Sequence, residues 1–333
     1  HTRRVARGVV GGIWWDGAMT VPPGARLANV GEFGLISELV TVFGDSEEVL
    51  VGPGDDAAVL RVRKGHVVAS TDLMVEGRHF RREWVSAKDV GHRAAAQNLS
   101  DINAMGGRAT FLTVGLAAPD DLEVAWALEF AEGLAAEAAQ VGAVVVGGDL
   151  TRADQIVISV TVLGTCTTSP VLRSGAQPGD VLALHGRQGW AAGGLAVLGR
   201  GFRSPRVLVD AYRRPEPPYD AGLDAAQAGA TSMIDISDGL LSEVTHLASA
   251  SAVAIDVRSG ALPIPEPLHA VGAALGVEPL GFVLSGGDDH ALLATFPKES
   301  VPGAWTVVGE VAAGEGVTVD GAAYDGATGW THF

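Results

Sequence analysis

Short apolar runs bounded by glycine, proline or small polar residues alternate along this chain with longer stretches whose apolar positions recur at helical spacing. That alternation is the pattern of a mixed α/β (α+β) protein, in which helices and sheets pack as layers. Strands are expected at His66–Asp72, Ala109–Leu116, Ala143–Val146, Ile156–Leu163, Asp180–Leu184, Ser232–Asp235, Val253–Val257 and Ala291–Phe296. Helices are expected over Ser86–Met105, Asp120–Val141, Gly189–Leu198, Tyr219–Gln227, Ser237–Ser249 and Pro265–Ala274, several opening at an N-cap residue or with proline in the first turn.

With 333 residues, 47% of them hydrophobic, the chain is long enough for two domains that each bury a core. The Thr-Cys-Thr-Thr-Ser-Pro stretch within Thr165–Ser174 punctuates the pattern. The expected organisation is therefore an extension over residues 1–29, a first domain over 30–168 and a second over 169–333. Arg203–Pro218 holds Pro205, Pro215, Pro217 and Pro218 among several arginines and is expected as a surface connection. No repeat of fixed period is present.

No run of eighteen uncharged apolar residues occurs, so a membrane span is not expected, and the charged start His1–Arg7 is not followed by a continuous apolar segment. The single cysteine, Cys166, excludes an internal disulfide or a thiolate metal cluster and suits a reducing, cytoplasmic setting. A formal net charge of −16 argues against nucleic acid as a partner, because such affinity is built from cations that neutralise phosphates.

Chemistry is signalled by an arrangement that recurs: an apolar run, then glycine or a small polar residue, then aspartate. It occurs at Val51-Gly-Pro-Gly-Asp-Asp56, Ala69-Ser-Thr-Asp72, Val146-Gly-Gly-Asp149, Ile234-Asp-Ile-Ser-Asp-Gly239 and Leu284-Ser-Gly-Gly-Asp-Asp289. One such site is an ordinary surface turn. Several together suit hard cations, since a strand end fixes each carboxylate and glycine lets an anion approach the backbone. The adjacent pairs Asp55-Asp56 and Asp288-Asp289 repel unless a cation or solvent separates them. Asn98 and Asp101, three residues apart on one helical face beside an apolar stretch, add a carboxylate that needs a partner.

No Gly-x-x-x-x-Gly-Lys-[Ser/Thr] motif exists, and the only lysines are Lys64, Lys88 and Lys298, which excludes a Walker-type nucleotide site. A bound nucleotide would instead meet divalent ions, arginines such as Arg152 and Arg173, and the helix start after Asp235-Ile-Ser-Asp238, where Ser237 is expected both to cap and to donate to phosphate. His79 lies close in sequence to Asp72, and a lone histidine is as much a structural residue as a chemical one. Trp330 is either a core anchor or a flat surface for an aromatic ligand. Serine or cysteine nucleophile chemistry lacks its motifs.

From about Gly31 to Phe333 the chain resembles the thiamine-monophosphate kinase family, within the superfamily of ATP-binding enzymes that includes aminoimidazole ribonucleotide synthetase. The segments that carry the resemblance are Gly31-Glu-Phe-Gly-Leu-Ile36, Gly54-Asp-Asp-Ala-Ala-Val-Leu60, Ser70-Thr-Asp-Leu-Met-Val-Glu-Gly-Arg-His-Phe80, Asn98-Leu-Ser-Asp-Ile-Asn-Ala-Met-Gly106, Gly147-Gly-Asp-Leu-Thr-Arg152, Arg173-Ser-Gly-Ala-Gln-Pro-Gly-Asp180, Ile234-Asp-Ile-Ser-Asp-Gly-Leu240 and Leu284-Ser-Gly-Gly-Asp-Asp-His290. The resemblance implies a two-domain aminoimidazole ribonucleotide synthetase-like fold, a homodimer formed through the sheet of the first domain, and ATP held with several Mg²⁺ ions between the domains. Carried over by position, it implies metal ligation by Asp56, Ser70, Thr71, Asp72, Asp101, Asp149, Asp235 and Asp238, and ATP contacts from Gly148, Asp149, Arg173 and Ser237. It implies thiamine monophosphate contacts from His79, Asp288 and Trp330, with no further catalytic side chain. Where the family more often has Gly-Gly-Glu-Asp-Tyr-Glu-Leu, this chain has Gly-Gly-Asp-Asp-His-Ala-Leu, so the substrate contacts around Asp288 differ.

The expected reaction is in-line transfer of the ATP γ-phosphoryl group to an acceptor phosphate. Rival readings are a related ATP-dependent synthetase, a two-metal phosphohydrolase and a cation-stabilised binding module. A selenophosphate synthetase is disfavoured by the absence of an N-terminal cysteine.

Overall fold

The computed structural model of the chain describes residues 24–43, 46–51, 59–60 and 66–330. The chain divides into two compact units. One holds the described residues of His1–Lys64, Thr71–Ala94 and Thr110–Val162; the other holds those of Gly65–Ser70, Ala95–Ala109 and Leu163–Phe333.

The chain begins with α1 (Leu27–Val42), so residues 27–29, expected in the extension, already open a helix. Next come the short antiparallel strands β1 (Val49–Val51) and β2 (Val59–Leu60). A four-stranded sheet follows from β3 (His66–Val75), β4 (Arg108–Ala118), β5 (Val144–Arg152) and β6 (Val157–Cys166), in the order β3-β6-β4-β5, with β4 and β5 parallel. Helices α2 (Ala87–Ala104) and α3 (Val124–Gln140) alternate with these strands. Ser86 and Asp89 cap the start of α2, and the buried Glu137 carboxylate joins α3 to α2 through His92 at 2.9 Å. Along β6 burial alternates strictly: Ile158, Val160 and Val162 are buried, while Val157, Ser159, Thr161 and Leu163 on the other face are only half-buried. This is the period of a sheet with one covered face.

The second unit is built on a six-stranded sheet of β7 (Val181–His185), β8 (Ser232–Asp235), β9 (Ala254–Val257), β10 (Leu292–Phe296), β11 (Thr306–Ala312) and β12 (Gly316–Val319). Its order is β12-β9-β11-β7-β10-β8, antiparallel except for the β12–β9 pair. β8 and β10 are buried at every position, β10 as a mostly apolar run and β8 although Ser232 and Asp235 stand at its ends. Met233, Leu292, Ala294 and Phe296 pack there with Trp305, whose ring meets Phe296 edge-on at 5.3 Å. The helices of this unit are α4 (Trp190–Gly199), α5 (Arg206–Arg213), α6 (Ala221–Gln227), α7 (Leu240–Ser251), α8 (Glu266–Leu275) and α9 (Pro279–Ser285).

Two expectations need correcting. Arg203–Pro218 is not a plain surface connection, because α5 lies inside it and buries Leu208, Val209, Ala211 and Tyr212. The Gly-Gly-Asp of Val146–Asp149 does not end a strand but lies inside β5, and Asp72 likewise lies inside β3. α1, β1, β2, α5, α9, β11 and β12 have no counterpart among the expected elements. Among the described residues, no single helix is long and apolar enough to cross a membrane.

Candidate functional site

In the first unit the pairing of β3 with β6 brings Thr71 Oγ1 within 2.8 Å of Thr161 Oγ1, and Asp72 follows on the same strand with its side chain half-buried. Ser70 precedes them on β3 but is counted with the second unit. Gly148 and Asp149 are exposed positions on β5. Gly148 is needed for the sheet itself: a Cβ there would collide with the Val114 carbonyl oxygen of the parallel neighbour β4. His79 lies in the turn after β3, where its Nδ1 accepts the Val75 N–H at 2.9 Å. In the neutral ring this leaves the proton on Nε2. Arg152 pairs with Asp120 at 3.3 Å. Asp56 lies outside the described residues.

The second unit gathers most of the remaining site residues. Asp235 ends β8, and its Oδ2 receives both the Ser100 hydroxyl of α2 at 2.8 Å and His290 Nδ1 at 3.2 Å. Ser100, Asp235 and His290 are all buried. Burial alone would lower the His290 imidazole, but the Asp235 hydrogen bond and the charges of Asp235, Asp288 and Asp101 outweigh it and raise its pKa. Asp101, one residue after Ser100, therefore shares this acidic neighbourhood.

The turn Ile236–Gly239 connects β8 to α7. Gly239, not Ser237, is the N-cap, so the expected capping role of Ser237 is corrected. Glu243, in the first turn of the helix, accepts the Asp238 N–H at 3.2 Å and lies 3.5 Å from Ser237 Oγ. Its carboxyl is pushed up to about 7, first by burial and further by Asp235 and Asp238, while the Asp238 N–H and the Arg173 charge pull the other way. Arg173 thus contributes positive charge to the group containing Ser237 and Asp238.

Asp288 and Asp289 part company. Asp288 and His290 have positive φ angles of 65° and 54°, uncommon for side-chain-bearing residues and characteristic of functional loops. Asp289 between them is buried and caps α4, its Oδ1 accepting the Ala191 N–H at 2.9 Å. Asp288 is half-buried and anchors its own N–H on the Ser237 carbonyl at 2.9 Å. The run before this pair is the helix α9, not the strand that the recurring pattern suggested. Trp330 is 54% exposed, and its N–H donates to the Asp238 carbonyl at 2.9 Å.

Asp101, Arg173, Asp235, Ser237, Asp238, Asp288 and Trp330 thus belong to the second unit, and Thr71, Asp72, His79, Gly148 and Asp149 to the first. Glu243 was not singled out by sequence reasoning, and His290 entered only as a departure from the family pattern. A glutamate in the first turn after a Ser-Asp-Gly start is a helix-start signal that would have found the former. Nothing local marks His290, whose role depends on meeting Asp235 across the β8–β10 pairing. Among the described residues, no group of three or more His, Cys, Asp or Glu side chains is gathered closely enough to hold a metal ion. The donors around Asp235 and Asp238 are nevertheless carboxylate and hydroxyl oxygens, so their chemistry fits a hard cation.

Residues 54–166 match the N-terminal domain of AIR synthase related proteins, and residues 177–321 match the C-terminal domain. The chain is 44% identical over 310 residues to the thiamine-monophosphate kinase of Mycobacterium tuberculosis, covering 92% of this chain and 93% of that one. A solved structure of AaThiL complexed with AMPPCP and TMP superposes with a TM-score of 0.78 at 34% identity, covering 94% of this chain and all of the other. The thiamine-monophosphate kinase of Stenotrophomonas maltophilia K279a superposes with a TM-score of 0.79 at 32% identity, over 89% of this chain and 98% of its own.

Proposed function

The chain belongs to the AIR synthase related proteins and, within them, to the thiamine-monophosphate kinases, and from that premise we propose that it converts thiamine monophosphate and ATP to thiamine diphosphate and ADP by direct in-line transfer. An oxygen of the acceptor phosphate attacks the γ-phosphorus, and the bond from that phosphorus to the β-bridging oxygen breaks, so ADP leaves with the bridging oxygen. The second pKa of a phosphate monoester is about 6, so the acceptor is already largely dianionic near neutrality and no strong general base is required. The protein's task is to position two polyanions and offset their repulsion.

The observation that carries this reading is the crowding of Asp235, Asp238 and Glu243 at the start of α7, with Arg173 and Ser237 among them. The Glu243 carboxyl is held near 7 by burial first, and the charges of Asp235 and Asp238 push it the same way, as they would where acidic groups gather. Mg²⁺ ions would be held by Asp56, Ser70, Thr71, Asp72, Asp101, Asp149, Asp235 and Asp238 and, when bound, supply charge neutralisation for the phosphates. Arg173, Ser237, Gly148 and Asp149 would contact ATP. The Ser237 hydroxyl, only loosely engaged with Glu243 at 3.5 Å, is able to turn toward phosphate. His79, Asp288 and Trp330 would contact the acceptor. Ser100 and His290 orient Asp235 by occupying its Oδ2.

A homodimer is part of the same reading. Val67 and Leu73 on β3 are 54% and 57% exposed, and one face of the four-stranded sheet is only half covered, which favours a second copy as its cover. Light scattering at micromolar concentration tests this, and a monomer mass would remove it. The reaction is tested by incubating the chain with ATP, Mg²⁺ and thiamine monophosphate. Thiamine diphosphate formed in step with ADP is the expected result, whereas free phosphate without it would make the protein a hydrolase.

A further inference from the structure

The last described residues do more than carry the indole of Trp330. The turn before α7 offers no side-chain cap at Gly239, yet the Ser242 N–H, one of the four that a helix start leaves unpaired, donates to the Thr328 carbonyl at 3.0 Å. Two residues on, the Trp330 N–H donates to the Asp238 carbonyl at 2.9 Å. The segment Thr328–Trp330 therefore lies as a strap directly on the turn that holds Ser237 and Asp238.

Backbone can approach backbone this closely because both contact residues are glycine. A Cβ at Gly239 would lie 3.0 Å from Gly329 Cα and 2.7 Å from the Ser285 carbonyl oxygen, and Gly239 also has a φ of 147°. A Cβ at Gly329 would lie 2.9 Å from both the Asp238 carbonyl oxygen and Ser242 Cβ. The same turn is bonded on its other side, where Asp288 N–H and His290 N–H donate to the Ser237 and Ile236 carbonyls at 2.9 and 3.2 Å. Three chain segments are thus joined through their backbones at this turn, and the Ser237, Asp238, Asp288 and Trp330 side chains all leave from it.

We propose that Gly329 is a positioning residue for the acceptor: its close contact with the Asp238–Gly239 turn fixes the backbone from which the Trp330 ring meets the substrate. This rests on the reading of Trp330 as an acceptor contact. A side chain at position 329 would lift the strap and displace the ring, and small displacements of positioning groups carry large kinetic costs.

The test is a cycle of Gly329→Ala, Trp330→Ala and the double variant, with KM for thiamine monophosphate, KM for ATP, kcat and melting temperature measured for each. Gly329→Ala is expected to raise the acceptor KM by about tenfold with the ATP KM nearly unchanged, a split that loss of helix stability alone would not produce. Because Gly329 acts through Trp330, the double variant is expected to be no worse than Trp330→Ala. Multiplying effects, or a wild-type acceptor KM in Gly329→Ala beside a raised one in Trp330→Ala, would overturn the positioning role alone. An unchanged acceptor KM in Trp330→Ala would remove the acceptor role of the ring and the positioning role with it. Should Gly329→Ala fail to fold, a chain ending at Ala327 lacks the strap outright, and a wild-type acceptor KM there overturns the proposal equally.

Discussion

Asp289 illustrates how much a single residue's meaning depends on backbone that sequence does not display. Two adjacent aspartates read as a repelling pair in want of a cation, but the left-handed backbone at Asp288 and His290 turns Asp289 into the protein, where it caps α4. Its Oδ2 is buried without a hydrogen-bond partner, and burial first, then the Asp288 charge, push its carboxyl up to about 7. The N–H groups of Ala191 and Gly189 and the His290 charge oppose the shift without cancelling it. A carboxyl whose folded pKa lies above its unfolded value binds its proton more tightly when folded. Its stabilising contribution is therefore complete below about pH 4 and is lost as the pH rises through about 7. The melting temperature is expected to fall by roughly 5 °C between about pH 5 and pH 8. Asp289→Asn keeps the acceptor for Ala191 and cannot ionise, so much of that slope should vanish. Some should remain, because Glu243 is shifted in the same direction. Parallel curves for the variant and the parent would show that Asp289 is ionised in the fold. Among the proposed ligands, Asp101→Asn is expected to lower kcat by at least about a hundredfold while melting within a few degrees of the parent. Near-normal turnover would count against a cation held there.

At the scale of elements, legibility followed burial pattern. β10 is covered on both faces, so its apolar run stood out, and α2 and α3 carry long helical stripes with clear punctuation. α5 was hidden by its flanks: Pro205 and Pro215 bound it and Arg206 and Arg213 stand at its ends, so composition spoke for a loop. What makes it a helix is tertiary, since Leu208, Val209 and Tyr212 are buried, and α4 offers two glycines, Gly193 and Gly194, against Leu208 and Tyr212. Leu208→Ala should then cost about 2–4 kcal/mol, read as a lower midpoint in denaturant. A loop residue would cost next to nothing, so a midpoint shift under about 0.5 kcal/mol would restore the connection reading. The Gly-Gly-Asp of β5 was misread for the opposite reason. Glycine usually ends a strand, but Gly148 continues one, because β4 passes too close for any side chain.

For the molecule as a whole, what the sequence conveyed was chemistry without placement. The recurring aspartates suited hard cations, and the missing P-loop lysine left phosphate to be met by divalent ions, arginines and helix starts; neither reading depends on the fold. Which carboxylates share a neighbourhood does depend on it: Asp101 on α2, Asp235 on β8 and Asp288 after α9 come together only through folding of the second unit. A protein that keeps such like charges together holds repulsion in its unliganded state that a bound cation and nucleotide would relieve. Mg²⁺ with a non-hydrolysable ATP analogue should accordingly raise the melting temperature. At a hundred times the dissociation constant the stabilisation is about 2.7 kcal/mol, and a chelator should reverse it. The analogue without Mg²⁺ should give much less, since it would add negative charge to an acidic cluster. Equal stabilisation with and without the metal would mean that arginine and backbone N–H groups suffice for the phosphates, and the carboxylates would then need another explanation.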